Sequence, residues 1–173
     1  MTTWPRNPER ERLEIEGFIA AYARFPESRQ FEIVSKSQAP DYLVRDVESC
    51  EEVGVELTSV YLDDRSVPDA HMCEEEGPVE VRNDEQELER CRNRLVGNII
   101  AKICKARKHY DRARPLILAI YVNEYISIYL REAELQAFVK RYNGVFEAMT
   151  PFCEVVFWNL PNRGVFRVRP SSG

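Results

Sequence analysis

Cysteine is sparse in this chain and poorly placed for metal chemistry. Cys50, Cys73, Cys91, Cys104 and Cys153 are odd in number, scattered, and never form a C-x-x-C pair. A structural zinc site needs clustered soft ligands, and only His71 and His109 could supplement them. Glycine is scarce as well: the seven present form neither G-x-G-x-x-G nor a P-loop, so nucleotide-dependent catalysis has no phosphate cradle. A nucleophile elbow is lacking, and no cysteine has a histidine partner implied by spacing. No apolar run approaches the roughly 20 residues of a membrane-spanning helix. The longest, Pro115 to Val122, is about a strand long. The opening residues, Met-Thr-Thr-Trp-Pro-Arg-Asn-Pro, have no apolar core of signal-peptide type. A cytoplasmic chain with reduced thiols and no membrane partner is the expectation. Excess positive charge is missing too: the formal net charge is −5, which argues against a chain coated for unspecific nucleic-acid binding.

What is present is enough for one domain. A chain of 173 residues can bury a full hydrophobic core. Ile15, Phe18, Ile19, Tyr22 and Phe25 recur at helical spacing and predict a helix from about Glu9 to Phe25, stopped by Pro26. Strands follow at Gln30–Ser35, Asp41–Arg45 and Val53–Tyr61, rich in β-formers. Residues 62–83, with Pro68, Gly77, Pro78 and an acidic run, read as a long loop. Leu88, Leu95, Ile99, Ile103, Ala106 and Tyr110 trace the apolar stripe of a helix over Asp84–Tyr110. Pro115–Val122 is a continuously apolar strand, typical of the middle of an α/β sheet. Tyr125–Tyr129 is a short strand or turn. A helix over Arg131–Tyr142, ending before Gly144, and strands at Cys153–Trp158 and Val165–Arg169 complete the order. The fold class is α/β, a mixed central sheet flanked by helices, with elements α-β-β-β-α-β and then α-β-β.

Two carboxylates stand out by position. Asp41 follows Pro40 and opens the second strand, while Glu56 lies inside the third, between Val55 and Leu57. A carboxylate within an apolar strand must be exposed, paired or bound to a cation, because burying it alone is too costly. If the two strands pair, both acids can point at one spot. Oxygen ligands on rigid strands with room for water suit Mg²⁺ or Mn²⁺. Such an ion can activate water and stabilise charge on a phosphodiester. Charge is also polarised along the chain. Asp46 to Glu89 carries sixteen acids and two basic residues, whereas Arg90 to Arg114 carries nine Lys or Arg and one acid. The functional reading of that contrast is a phosphate-facing surface, drawn from Arg94, Lys105, Arg107 and Lys108, beside an acidic pocket.

A helix, strands carrying Pro-Asp and a Glu-x-Lys-type motif, then a helix and a strand, resemble the PD-(D/E)XK, or restriction endonuclease-like, nuclease superfamily. The matching pieces are Pro40-Asp41 and Glu56-Leu57-Thr58, with the acids spaced 15 positions apart. The resemblance covers about residues 9–122, an αβββαβ core, and leaves residues 123–173 as a C-terminal αββ extension. It implies a metal-dependent nuclease holding Mg²⁺ or Mn²⁺ at Asp41 and Glu56, with a further acid from the first helix, Glu11 ahead of Glu14. Thr58 stands where the family has its lysine, and the long helix can supply one instead. Helical geometry favours Lys102, whereas the family-like run Lys105-x-x-Lys108-x-Tyr110 favours Lys105. The implied partner is nucleic acid, DNA ahead of RNA, with a homodimer left open. The missing strand lysine equally suits a catalytically inactive member of the fold that binds nucleic acid or protein. Bland readings stand beside these: Asp41 as a turn residue, Glu56 on a solvated sheet face, and the basic helix as a solvated surface. Arg163, Arg167 and Arg169 read as charges on an edge strand, and Tyr121, Tyr125 and Tyr129 as packing.

Overall fold

A computed structural model describes residues 7–25, 28–60, 85–123, 130–161 and 164–170. The predicted long loop, the segment Tyr125–Tyr129, and Cys73, His71 and Arg163 lie outside the described residues. The described elements run α1 (Asn7–Tyr22), β1 (Phe31–Lys36), β2 (Tyr42–Asp46), β3 (Glu52–Val60), α2 (Glu85–His109), β4 (Leu116–Val122), α3 (Glu132–Arg141), α4 (Asn143–Glu147), β5 (Phe152–Leu160) and β6 (Gly164–Val168). The α-β-β-β-α-β order expected from the sequence is present. So is the later helix-and-two-strand unit, with the helical part split in two. Gly144 sits inside the second short helix instead of ending the first.

The six strands form one mixed sheet in chain order, β1 to β6. β1, β2 and β3 are antiparallel, β3, β4 and β5 are parallel, and β6 returns antiparallel to β5. Parallel neighbours need crossovers, and α2 makes the first of them. β4, Leu-Ile-Leu-Ala-Ile-Tyr-Val, is buried at every residue, because helices cover both of its faces.

Strand alternation divides the core in two. On one face α1 brings Ile15, Phe18 and Tyr22 against Val55, Leu57, Ile117, Ala119, Tyr121, Val156 and Trp158. On the other, Leu95, Ile99, Ile103 and Ala106 of α2 and Phe138 and Phe146 of α3 and α4 cover Leu118, Ile120, Val155 and Phe157. α1 can seat this closely because Gly17 has no side chain: a Cβ there would lie 2.8 Å from the Trp158 ring. The described residues from 130 onward are part of this core. β5 sits directly beside β4, and its side chains enter both apolar clusters.

Candidate functional site

β2 pairs with β3 so that Tyr42 faces Val55 and Leu43 faces Gly54. Continued one residue beyond β2, that register sets Asp41 across from Glu56. Directly opposed residues of an antiparallel ladder project to the same face. Tyr42 and Val55 belong to the α1 side, so Asp41 and Glu56 belong to the side of α2. The loop ahead of β2 is held at two points. The Asp41 carboxylate accepts the Leu57 amide at 2.8 Å through Oδ2. Pro40 packs against Gly54, where a Cβ would lie 2.6 Å from its ring.

Glu56 is fully buried, with no solvent exposure. Lys102 and Lys105 of α2 both donate to its Oε1, at 2.7 Å and 2.9 Å. Both lysines proposed from the sequence therefore reach the same acid. Burial pushes the Glu56 pKa up, but Lys102, Tyr110 and Lys105 beside it outweigh that effect and hold the group below its ordinary value. Asp41 goes the other way: burial raises it first, and the nearby negative charge of Glu56 raises it further. The second oxygen, Glu56 Oε2, is buried without a hydrogen-bond partner, and so is the Tyr110 hydroxyl. Burial, and then Glu56, push Tyr110 upward, which keeps it protonated.

This arrangement can hold two formal negative and two formal positive charges in a partly desolvated space. It leaves Glu56 Oε2 without a hydrogen-bond partner, and Asp41 is close enough for the Glu56 charge to act on it, a pair of oxygen donors of the type a hard divalent cation takes. Among the described residues no group of three or more His, Cys, Asp or Glu side chains closes on one point. The first-helix acids do not join Glu56. Glu14 is buried, with Ser59 donating to its Oε1 at 3.0 Å, and Ser59 belongs to the α1 side of the sheet. Glu11, the first choice from the sequence, pairs with Lys36 near the surface. Burial raises Glu14, Arg10 and Ser59 partly offset the effect, and the charges of Glu11 and Asp41 add to the rise.

The expected phosphate-facing residues divide. Arg107 donates to the carbonyls of Thr150, at 2.8 Å, and Ala148, so it ties α2 to the end of α4. Lys108 is exposed near the end of α2, and Arg94 is half-buried on the same helix. Arg167 is not a solvated edge charge. It turns inward and donates to Glu154 Oε1 and, at 3.1 Å, to the Tyr22 hydroxyl. Tyr22 in turn donates to Glu154 Oε2 at 2.8 Å. Sequence reasoning missed this buried network and the place of Tyr110. The signal for Glu154 was the same as for Glu56, an acid inside an apolar strand. Tyr121 packs against Trp158, with ring centroids 4.8 Å apart. Cys50, Cys91, Cys104 and Cys153 are free thiols. Among the described residues no helix is long and apolar enough to cross a membrane. In comparisons with known proteins, no family model, no curated protein and no solved structure matches this chain.

Proposed function

We propose that this chain is a metal-dependent phosphodiesterase of the restriction endonuclease-like type, acting on nucleic acid, with DNA preferred over RNA. The observation that carries the reading is the convergence of Asp41 and Glu56 on one sheet face, under the lysines of α2, with Glu56 Oε2 left bare. Glu56 Oε2 and the Asp41 carboxylate would hold Mg²⁺ or Mn²⁺. Such an ion would supply Lewis-acid polarisation of a phosphoryl oxygen and water of lowered pKa. Lys102 and Lys105 would balance the negative charge that grows on a phosphodiester under attack, and either ammonium can orient a nucleophilic water by hydrogen bonding. They do so from α2 because Thr58, on β3, has no charge to offer. Lys105 and the exposed Lys108 would meet the phosphate backbone.

One observation favours a second reading, a catalytically silent copy that binds nucleic acid or protein. Both ammonium groups rest on Glu56, and no third acid joins it among the described residues. The two readings separate experimentally. The phosphodiesterase reading expects Mg²⁺- or Mn²⁺-dependent cleavage of a labelled DNA or RNA duplex or single strand. It also expects loss of that cleavage in Asp41→Asn and Glu56→Gln variants that keep the wild-type circular dichroism spectrum. Undiminished cleavage in both folded variants refutes the mechanism. Binding of nucleic acid without metal uptake or cleavage supports the silent copy.

A further inference from the structure

We infer that Tyr110 is a positioning residue of the Asp41–Glu56 site, its hydroxyl orienting the second oxygen of Glu56 and its ring steadying Lys105. Tyr110 follows the last residue of α2, and its amide still donates to the Ala106 carbonyl at 3.1 Å. The helix end therefore fixes where this side chain starts. The ring is buried in the cluster that α2 makes with β4 and β5. A phenylalanine would fill the same space without bringing a polar atom inside.

Two facts set the hydroxyl apart from packing. First, the hydroxyl is buried without a clear hydrogen bond, and the Glu56 carboxylate that acts on it has one oxygen, Oε2, in the same condition. Unpaired buried polar groups are uncommon, and adjacent ones of complementary type call for an explanation. Second, the Lys105 ammonium lies 5.4 Å from the centre of the Tyr110 ring while it donates to Glu56 Oε1. Glu56 thus receives both ammonium groups at Oε1 and has the phenol beside it as well. The lysine between them is held by both the carboxylate and the ring face. A phenol is protonated at neutral pH, so it remains a donor. A carboxylate oxygen has more than one lone pair, so Oε2 can accept from Tyr110 and still face a cation. Tyr110 itself need touch neither cation nor substrate.

The metal arm of the test rests on the phosphodiesterase reading, and the other arm does not. Tyr110→Phe in the full chain is expected to weaken Mn²⁺ binding by about tenfold in calorimetry, about 1.4 kcal/mol. The kcat for cleavage should fall while KM for an oligonucleotide stays unchanged, since the hydroxyl does not meet the substrate. Wild-type Mn²⁺ affinity in Tyr110→Phe overturns the inference. Independently of metal, Tyr110→Phe is made in the wild type and in Glu56→Gln, and thermal midpoints are compared. A hydroxyl that acts on Glu56 shifts the midpoint differently in the two backgrounds, whereas equal shifts overturn the inference. If Glu56→Gln does not fold, Mn²⁺ affinity decides. If the wild type takes up no Mn²⁺, the metal reading fails and the mutant cycle decides on Tyr110 by itself.

Discussion

Removing both lysines should invert the way this protein's stability depends on pH. In the variant Lys102→Met with Lys105→Met, Glu56 stays fully buried but loses the donors to Oε1 at 2.7 Å and 2.9 Å. Stripping the partners from a buried charge costs about 3–5 kcal/mol, and the lower end applies because the site sits near the surface on the lysine side. At pH 7 that is about 3 kcal/mol, or roughly 6–12 °C in midpoint for a chain of this size. In the wild type the folded Glu56 pKa lies below its ordinary value. Its contribution is therefore present above the unfolded pKa, about 4.3, and is lost only as the pH falls. Without the lysines, burial and the charge of Asp41 place the folded pKa above the unfolded one. The protein is then spared below about pH 4.3 and penalised as the pH rises through the new folded value, by about 1.4 kcal/mol for each unit between the two. Asp41, already raised by burial and by Glu56, loses two favourable neighbours and moves the same way. The assay is thermal unfolding of variant and wild type in metal-free buffer from pH 5 to pH 8, read as the difference between them. The difference should shrink towards pH 5. A difference that is constant, or that grows on acidification, would show that these lysines do not hold Glu56 ionised.

Glu154→Gln should cost about 3 kcal/mol in denaturant unfolding, because Arg167 is left charged in a nearly closed space, whereas Tyr22→Phe, which removes one hydrogen-bonding group, should cost about 1 kcal/mol. A Glu154→Gln variant as stable as the wild type would contradict the buried ion pair. Gly54→Ala should destabilise by about 1–3 kcal/mol, since the new Cβ would lie 2.5 Å from Leu116 Cδ2 and 2.6 Å from Pro40 Cγ. By displacing Pro40 and Asp41 it should also weaken Mn²⁺ uptake, which calorimetry reads directly. Gly97→Ala, on an open stretch of α2 with nothing within 4 Å, should instead stabilise by up to about 1 kcal/mol, and a loss of stability there would indicate a hidden contact.

The elements that could be read from sequence are those whose pattern is local. The apolar stripe of α2 and the unbroken run of β4 appear within a residue or two of their predicted ends. Asp41 and Glu56 could be singled out because an acid beside proline at a strand start, or inside an apolar strand, is conspicuous in one dimension. Other features were not local. Gly144 does not end the helix before it, because the chain re-enters a helical turn from Tyr142 and packs Phe146 against the core. Arg167 looked like an edge charge, yet its side chain turns to the α1 side, where Glu154 and Tyr22 wait.

The sequence by itself determined that a mixed sheet with helices would form and that two of its acids needed a reason to be there. It could not decide what the reason was, and Glu56 and Glu154 show why. Alternation along a strand fixes which residues share a face, but the element that covers that face comes from a distant part of the chain. For Glu56 the cover is α2, which brings Lys102 and Lys105 and leaves one oxygen bare. For Glu154 it is α1 and β6, whose Tyr22 and Arg167 engage both oxygens. The first-helix acids were likewise assigned by packing: Glu11 and Glu14 lie on α1 and take Lys36 and Ser59 as partners instead of joining Glu56. A carboxylate's chemistry is set by the groups that replace its water, and only tertiary packing chooses those groups.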